Sequence, residues 1–175
     1  MLRSISDLDD IQYYGKKILV RVDFNVTIIN GVVAEDYRIR SAIPTIEYLI
    51  KRGAKVILAS HLGRPKIRDN QNTLAPVATR LKEILNRRVD FIDDCVGAKV
   101  SSKIESLNYG GILLLENLRY YEEEQKNDPD FSKSISSLAD IYVNDAFSTS
   151  HRKHASTYGA VKNFDIRLAG FSLRI

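Results

Sequence analysis

Apolar residues along this chain follow two alternating patterns. Short, nearly unbroken runs, KILVRV (17–22), KVILAS (55–60), RVDFI (88–92), GILLLE (111–116) and DIYVND (140–145), are separated by stretches whose apolar positions recur every three or four residues. A run of five or six residues that is apolar on both alternating faces suits a strand covered from both sides, which is the condition of a parallel sheet.

The intervening stretches predict helices. Ile39, Ala42, Ile43, Ile46, Leu49 and Ile50 make a stripe within residues 38–52, with Pro44 near the first turns and Gly53 as the stop. Thr73 is placed to cap residues 74–86, where Leu74, Val77, Ala78, Leu81 and Leu85 line one face, and Asp128 is placed to cap residues 129–139 behind Pro129. Residues 97–107 form a weaker helical pattern, and TIINGVVAE (27–35) reads as a hairpin around Asn30 and Gly31. The acidic run EEEQKND (122–128) reads as a solvated loop. Strands alternating with helices predict an α/β fold, a three-layer α/β/α Rossmann-like domain with a mainly parallel sheet. No repeat or composition break divides residues 1–175, so the chain reads as one domain.

Composition narrows the classes of function. With 175 residues, 44% hydrophobic and 27% charged, the chain can bury a core. No apolar run is long enough to span a bilayer and MLRSISDLDD has no apolar segment behind its basic residue, so the expectation is a cytoplasmic protein with no membrane partner. Cys95, the single cysteine, allows no internal disulfide or cysteine-built metal site, and beside Asp93 and Asp94 it reads as a buried, unreactive thiol. A net charge of +4 raises the question of nucleic acid. The lysines, however, are scattered over helix surfaces without interleaved aromatic residues, so no nucleic-acid partner is expected.

Candidate chemistry gathers where the strands end, the place where ligands sit in open α/β sheets. Asp23 and Asn25 follow the first strand, His61, Gly63 and Arg64 the second, Asn117 and Arg119 the GILLLE strand, and Asn144, Asp145, His151, Arg152 and His154 the last. Arg38 opens the first long helix. Gathering like charges costs energy unless an anion offsets it, and guanidinium groups bind phosphate and carboxylate through paired hydrogen bonds. Gly63 lets backbone approach closely while Pro65 stiffens the turn that aims Arg64. The residue types favour a small multivalent anion. Neither a metal site nor a nucleophile elbow is present, and there is no GxxxxGK[ST] or GxGxxG phosphate loop.

These residues also carry a likeness. RVDFNV, RIRSAIPTIEYLIKRGAKVILASHLGRPK, LLLENLRYY, KNDPDF and ADIYVNDAFSTSHRKHAST resemble, in order and spacing, the N-terminal domain of phosphoglycerate kinase from about Lys16 to Gly170. The resemblance implies a half-enzyme that binds 3-phosphoglycerate or 1,3-bisphosphoglycerate during phosphoryl transfer to and from ADP. It implies that Asp23 and Asn25 contact the hydroxyl and carboxyl end of the glycerate. Arg64, Arg119 and Arg152, with His61, would hold the non-transferred phosphate, and Arg38 would stabilise the phosphoryl group in flight. Gly63, Asn144, His151 and His154 are expected just behind them. No cofactor is expected on this chain, since MgATP or MgADP would sit on a C-terminal nucleotide-binding domain, the implied partner. Thr27 stands where the family usually has proline, Ser148 where it usually has glycine, and GFSLRI leaves the pattern after Phe171. The expectation is therefore a fragment, a separately made domain or a truncated gene product that is inactive alone. The alternative is a non-catalytic anion-binding or regulatory module derived from the same domain.

Overall fold

A computed structural model describes residues 3–173; Met1, Leu2, Arg174 and Ile175, the ends of the two terminal segments read above, lie outside the described residues. In chain order the elements are β1 (Lys17–Val22), β2 (Ile28–Ile29), β3 (Val32–Val33), α1 (Tyr37–Lys51), β4 (Lys55–Ala59), α2 (Ala75–Leu85), β5 (Asp90–Ile92), α3 (Ala98–Glu105), β6 (Ile112–Leu115), α4 (Glu122–Lys126), α5 (Pro129–Ser136), β7 (Ile141–Asp145) and β8 (Ile166–Ala169). Six strands form one sheet in the order β5-β6-β4-β1-β7-β8, and each neighbouring pair runs parallel. The predicted strands and the predicted parallel sheet are all present.

Alternation along β1 explains the layers. Ile18, Val20 and Val22 join one cluster with Ile39, Ile46 and Leu49 of α1 and Val77 and Leu81 of α2. Leu19 faces the other way, with Ile57 and Leu113, against Val100 and Ile104 of α3 and Phe131 and Ile135 of α5. Packing decides the helices. Pro44 inside α1 removes one helical donor, at a cost of about 3 kcal/mol, but Ile39, Ile46 and Leu49 are fully buried and contribute about 1.5–3 kcal/mol each.

The hairpin is β2 paired with β3, and Asn30 and Gly31 both take positive φ, 51° and 74°, as a two-residue turn between twisted strands requires. Asp128 caps α5 by accepting the Phe131 N–H at 2.8 Å. Cys95 is buried, and burial followed by the Asp94 and Glu116 carboxylates pushes its thiol up.

Three readings are corrected. The acidic run is helix α4, not a solvated loop, because Glu124 turns inward and is 1% exposed. Strand β8 extends the sheet beyond β7. Leu74 and not Thr73 holds the cap position of α2, although the Thr73 hydroxyl still accepts the Ala75 N–H at 3.3 Å while donating to Glu116 Oε2 at 2.7 Å.

Candidate functional site

Because β1, β4, β6 and β7 run parallel, the loops that follow them open at the same edge of the sheet. Two groups of side chains form there, joined through one turn.

The first group is basic. Arg21, one residue before the end of β1, lies on the same face as Leu19 and is 1% exposed. Its Nε donates to Ser156 Oγ at 2.9 Å, its Nη1 donates to the Val22 carbonyl, and its Nη2 lies 3.1 Å from Nδ1 of His61. His61 is 4% exposed, and burial, then Arg21, Arg119 and Arg152, lowers its pKa to about 2. A ring so placed stays neutral at physiological pH. Arg119 is buried as well; its Nη1 donates to the Gly63 carbonyl at 2.6 Å, while its Nε has no partner among the described residues. Burial and the like charges of Arg152, Arg21 and Arg64 all lower its pKa. The same burial and the charges of Arg119, Arg152 and Arg21 lower His154. Arg64 is exposed and Arg152 half-buried, and neither side chain makes a hydrogen bond or ion pair among the described residues.

One buried acid faces this cluster. Glu124 accepts the Ser156 N–H at 2.9 Å on Oε2 and the Ser156 hydroxyl on Oε1. Burial raises the carboxyl, while Arg21 and the two Ser156 donors pull it back down.

The joining turn is the loop after β4. Gly63 has φ +60°, and a Cβ there would lie 2.6 Å from Asn72 Oδ1. Its N–H donates to Asn25 Oδ1 at 2.8 Å and its carbonyl receives Arg119, so the turn couples the loops after β1 and β6. Beneath it Asn117 is fully buried. Its Oδ1 accepts the N–H groups of Leu62 and Arg119 at 3.0 Å each, and its Nδ2 donates to the carbonyls of Leu62 at 2.7 Å and Asn72 at 2.9 Å.

The second group lines a cleft of about 590 Å³ whose walls include Asp23, Asn25, Arg38, Asp145, Phe147 and Ser148. Asp23 pairs with Arg38 and accepts the Ser148 hydroxyl on the same oxygen, while its other oxygen accepts the Asn25 N–H at 3.2 Å. Asp145 is 4% exposed, and burial pushes its carboxyl up even though Ser172 donates to it through both N–H and hydroxyl at 2.9 and 2.7 Å.

The structure thus brings His61, Arg119, Arg152 and His154 into one electrostatic neighbourhood, with Arg64 beside Arg119, and places Asp23, Asn25 and Arg38 along the adjoining cleft. His151 is exposed in the loop after β7. Asn144 is occupied locally, its Oδ1 accepting the Ala146 N–H at 3.0 Å. Arg21, Glu124, Ser148 and Ser156 were not expected at the site. Arg21 alone gave a signal, being a charge inside a strand otherwise read as buried on both faces. Among the described residues no three His, Cys, Asp or Glu side chains gather to hold a metal ion, and no helix is long and apolar enough to cross a membrane.

Comparison with known proteins adds an independent line. The family model described as phosphoglycerate kinase matches residues 8–174. The phosphoglycerate kinase of Dictyoglomus turgidum is 54% identical over 160 residues, covering 91% of this chain and 40% of that protein. The chloroplastic phosphoglycerate kinase 1 of Arabidopsis thaliana is 53% identical over 173 residues, covering 98% of this chain and 36% of its own length. Among solved structures, phosphoglycerate kinase from Pyrococcus horikoshii superposes with a TM-score of 0.87 at 35% identity, over 99% of this chain and 43% of that one. The chain therefore spans about two fifths of the length of the relatives it matches.

Proposed function

Because this chain belongs to the phosphoglycerate kinase family, we propose that it supplies the half of such an enzyme that binds 3-phosphoglycerate or 1,3-bisphosphoglycerate. The observation that carries the proposal is the Arg119 guanidinium, buried with an unpartnered Nε among three other arginines and a neutral histidine. Such a cluster is costly alone and favourable around an anion.

In this reading Arg64, Arg119 and Arg152 pair with the phosphate that is not transferred, and His61 donates to it. Asn25, whose Oδ1 is taken by Gly63, offers its amide N–H groups to the carboxyl end of the glycerate, and Asp23 accepts from its hydroxyl. Arg38 leaves Asp23 to meet charge developing on the transferring group, where positioning and charge neutralisation do most of the work in phosphoryl transfer. MgADP or MgATP would be held by a part of the protein corresponding to the length of the relatives that this chain does not match. The proposed compartment is the cytoplasm. The 175-residue chain alone is proposed to be inactive, since donor and acceptor must be held together.

Titration of the ¹⁵N-labelled chain with 3-phosphoglycerate tests the assignment. Amide and side-chain signals of residues 23–25, 61–64, 119 and 152 should move together. Movement confined to other surfaces would contradict it.

A further inference from the structure

We propose that Glu124, Ser156 and Arg21 form a positioning relay that holds His61 in one neutral tautomer, its proton on Nε2, so that the ring meets an anion as a fixed hydrogen-bond donor. The four residues come from four separate segments, α4, the tight π-turn at Ala155–Gly159, β1 and the loop after β4, and they are 1%, 1%, 1% and 4% exposed. No water competes for such groups without being buried with them, so their mutual hydrogen bonds decide their orientation.

The donors are assigned in one direction. Glu124 accepts twice from Ser156, through the N–H and through the hydroxyl. With its proton committed to Glu124, the Ser156 oxygen presents a lone pair, and Arg21 Nε donates to it at 2.9 Å. Arg21 Nη1 is taken by the Val22 carbonyl, which leaves Nη2 facing His61 Nδ1 at 3.1 Å. A guanidinium has donors and no acceptor. Nδ1 must therefore be the bare nitrogen, and in a neutral ring the proton then sits on Nε2. The opposite tautomer, or an imidazolium, would set N–H against N–H. Glu124 does not line the cleft and reaches His61 only through Ser156 and Arg21, holding the Ser156 hydroxyl in the direction that lets Arg21 keep this orientation.

The consequence for binding rests on the anion-site reading given above, whereas the tautomer belongs to the free chain. Ring ¹⁵N chemical shifts of His61 in the ligand-free chain, followed from pH 5 to 8, should show a bare Nδ1 and a protonated Nε2 throughout. Ser156→Ala should move the shifts toward a tautomer average and weaken inorganic phosphate about two- to fivefold, because only part of the population is then competent. Ser156→Thr, which keeps the hydroxyl, should restore both. A proton on Nδ1 in the unsubstituted chain, an imidazolium at pH 5, or a folded Ser156→Ala chain with unchanged shifts would overturn the relay. If the tautomer is as stated but neither phosphate nor 3-phosphoglycerate binds, the relay stands and the anion-site reading fails.

Discussion

Ser148 donates its hydroxyl to the same Asp23 oxygen that receives the Arg38 guanidinium. The contact ties the loop after β7, which carries Arg152, to the loop after β1, across 125 residues of sequence. It exists because Ser148 carries a hydroxyl that a glycine or alanine there would lack. Ser148 is exposed, so Ser148→Ala should cost only about 0.5–1 kcal/mol, yet amide exchange should quicken across residues 147–152. Hydrogen exchange read by mass spectrometry checks this, and an unchanged loop would mean that the tether holds nothing.

Gly63→Ala should be far more damaging than its single methyl suggests. At φ +60° a side chain costs about 1–2 kcal/mol, and this one would also press on Asn72 Oδ1. Since Asn25 and Arg119 hold the two ends of the Gly63 backbone, anion affinity should fall together with stability. Urea unfolding and phosphate titration of the same variant measure both.

Asn117→Ala leaves four backbone groups without their partner, the buried ones of Leu62 and Arg119 and the half-buried carbonyl of Asn72. The expected loss is about 3–5 kcal/mol, allowing for incomplete additivity. A chemical-denaturation midpoint close to that of the unsubstituted chain would show that the turn satisfies itself.

The strands, the hairpin and the three layers were legible because a buried parallel strand needs an apolar run and a tight hairpin needs residues that tolerate positive φ, as Asn30 and Gly31 do. Helix α4 was not, because its burial depends on one glutamate whose partners lie 32 residues away. Strand β8 is only four residues long with Arg167 exposed, too little for a period to show. The candidate anion residues were readable as residue types at strand ends. The Arg21–Ser156 bond joins positions 135 residues apart, a contact that no local pattern encodes. Asn144 was expected behind the site from its place after the strand, and the turn that it closes with the Ala146 N–H could not be read from the sequence.

His61 makes the fold sensitive to acid. Its pKa falls from the ordinary 6.5 to about 2 on folding, so between those values the unfolded chain binds a proton that the folded chain refuses. Stability is therefore full above pH 6.5 and declines as pH falls, by about 1.4 kcal/mol per pH unit for one such group. His154, lowered in the same direction, adds to the slope. Between pH 6.5 and 5 the unsubstituted chain should lose about 2 kcal/mol that His61→Gln does not. Parallel slopes for the two in urea unfolding would show that the ring titrates normally.

The most direct test of the account is a set of melting curves for the 175-residue chain at constant ionic strength, with 3-phosphoglycerate, sulfate, non-phosphorylated glycerate or MgADP. With roughly half of an enzyme's contacts, a dissociation constant of ~0.1–1 mM is expected for 3-phosphoglycerate. At about 100 times that constant, linkage gives roughly 2.7 kcal/mol of stabilisation, or about 5–10 °C for a domain of this size. Sulfate should give a smaller shift and MgADP almost none. Combining Arg64→Ala with Arg152→Ala should remove most of the difference between 3-phosphoglycerate and glycerate. Equal shifts with every anion would contradict the claim that this edge of the sheet is built for a phosphorylated acid.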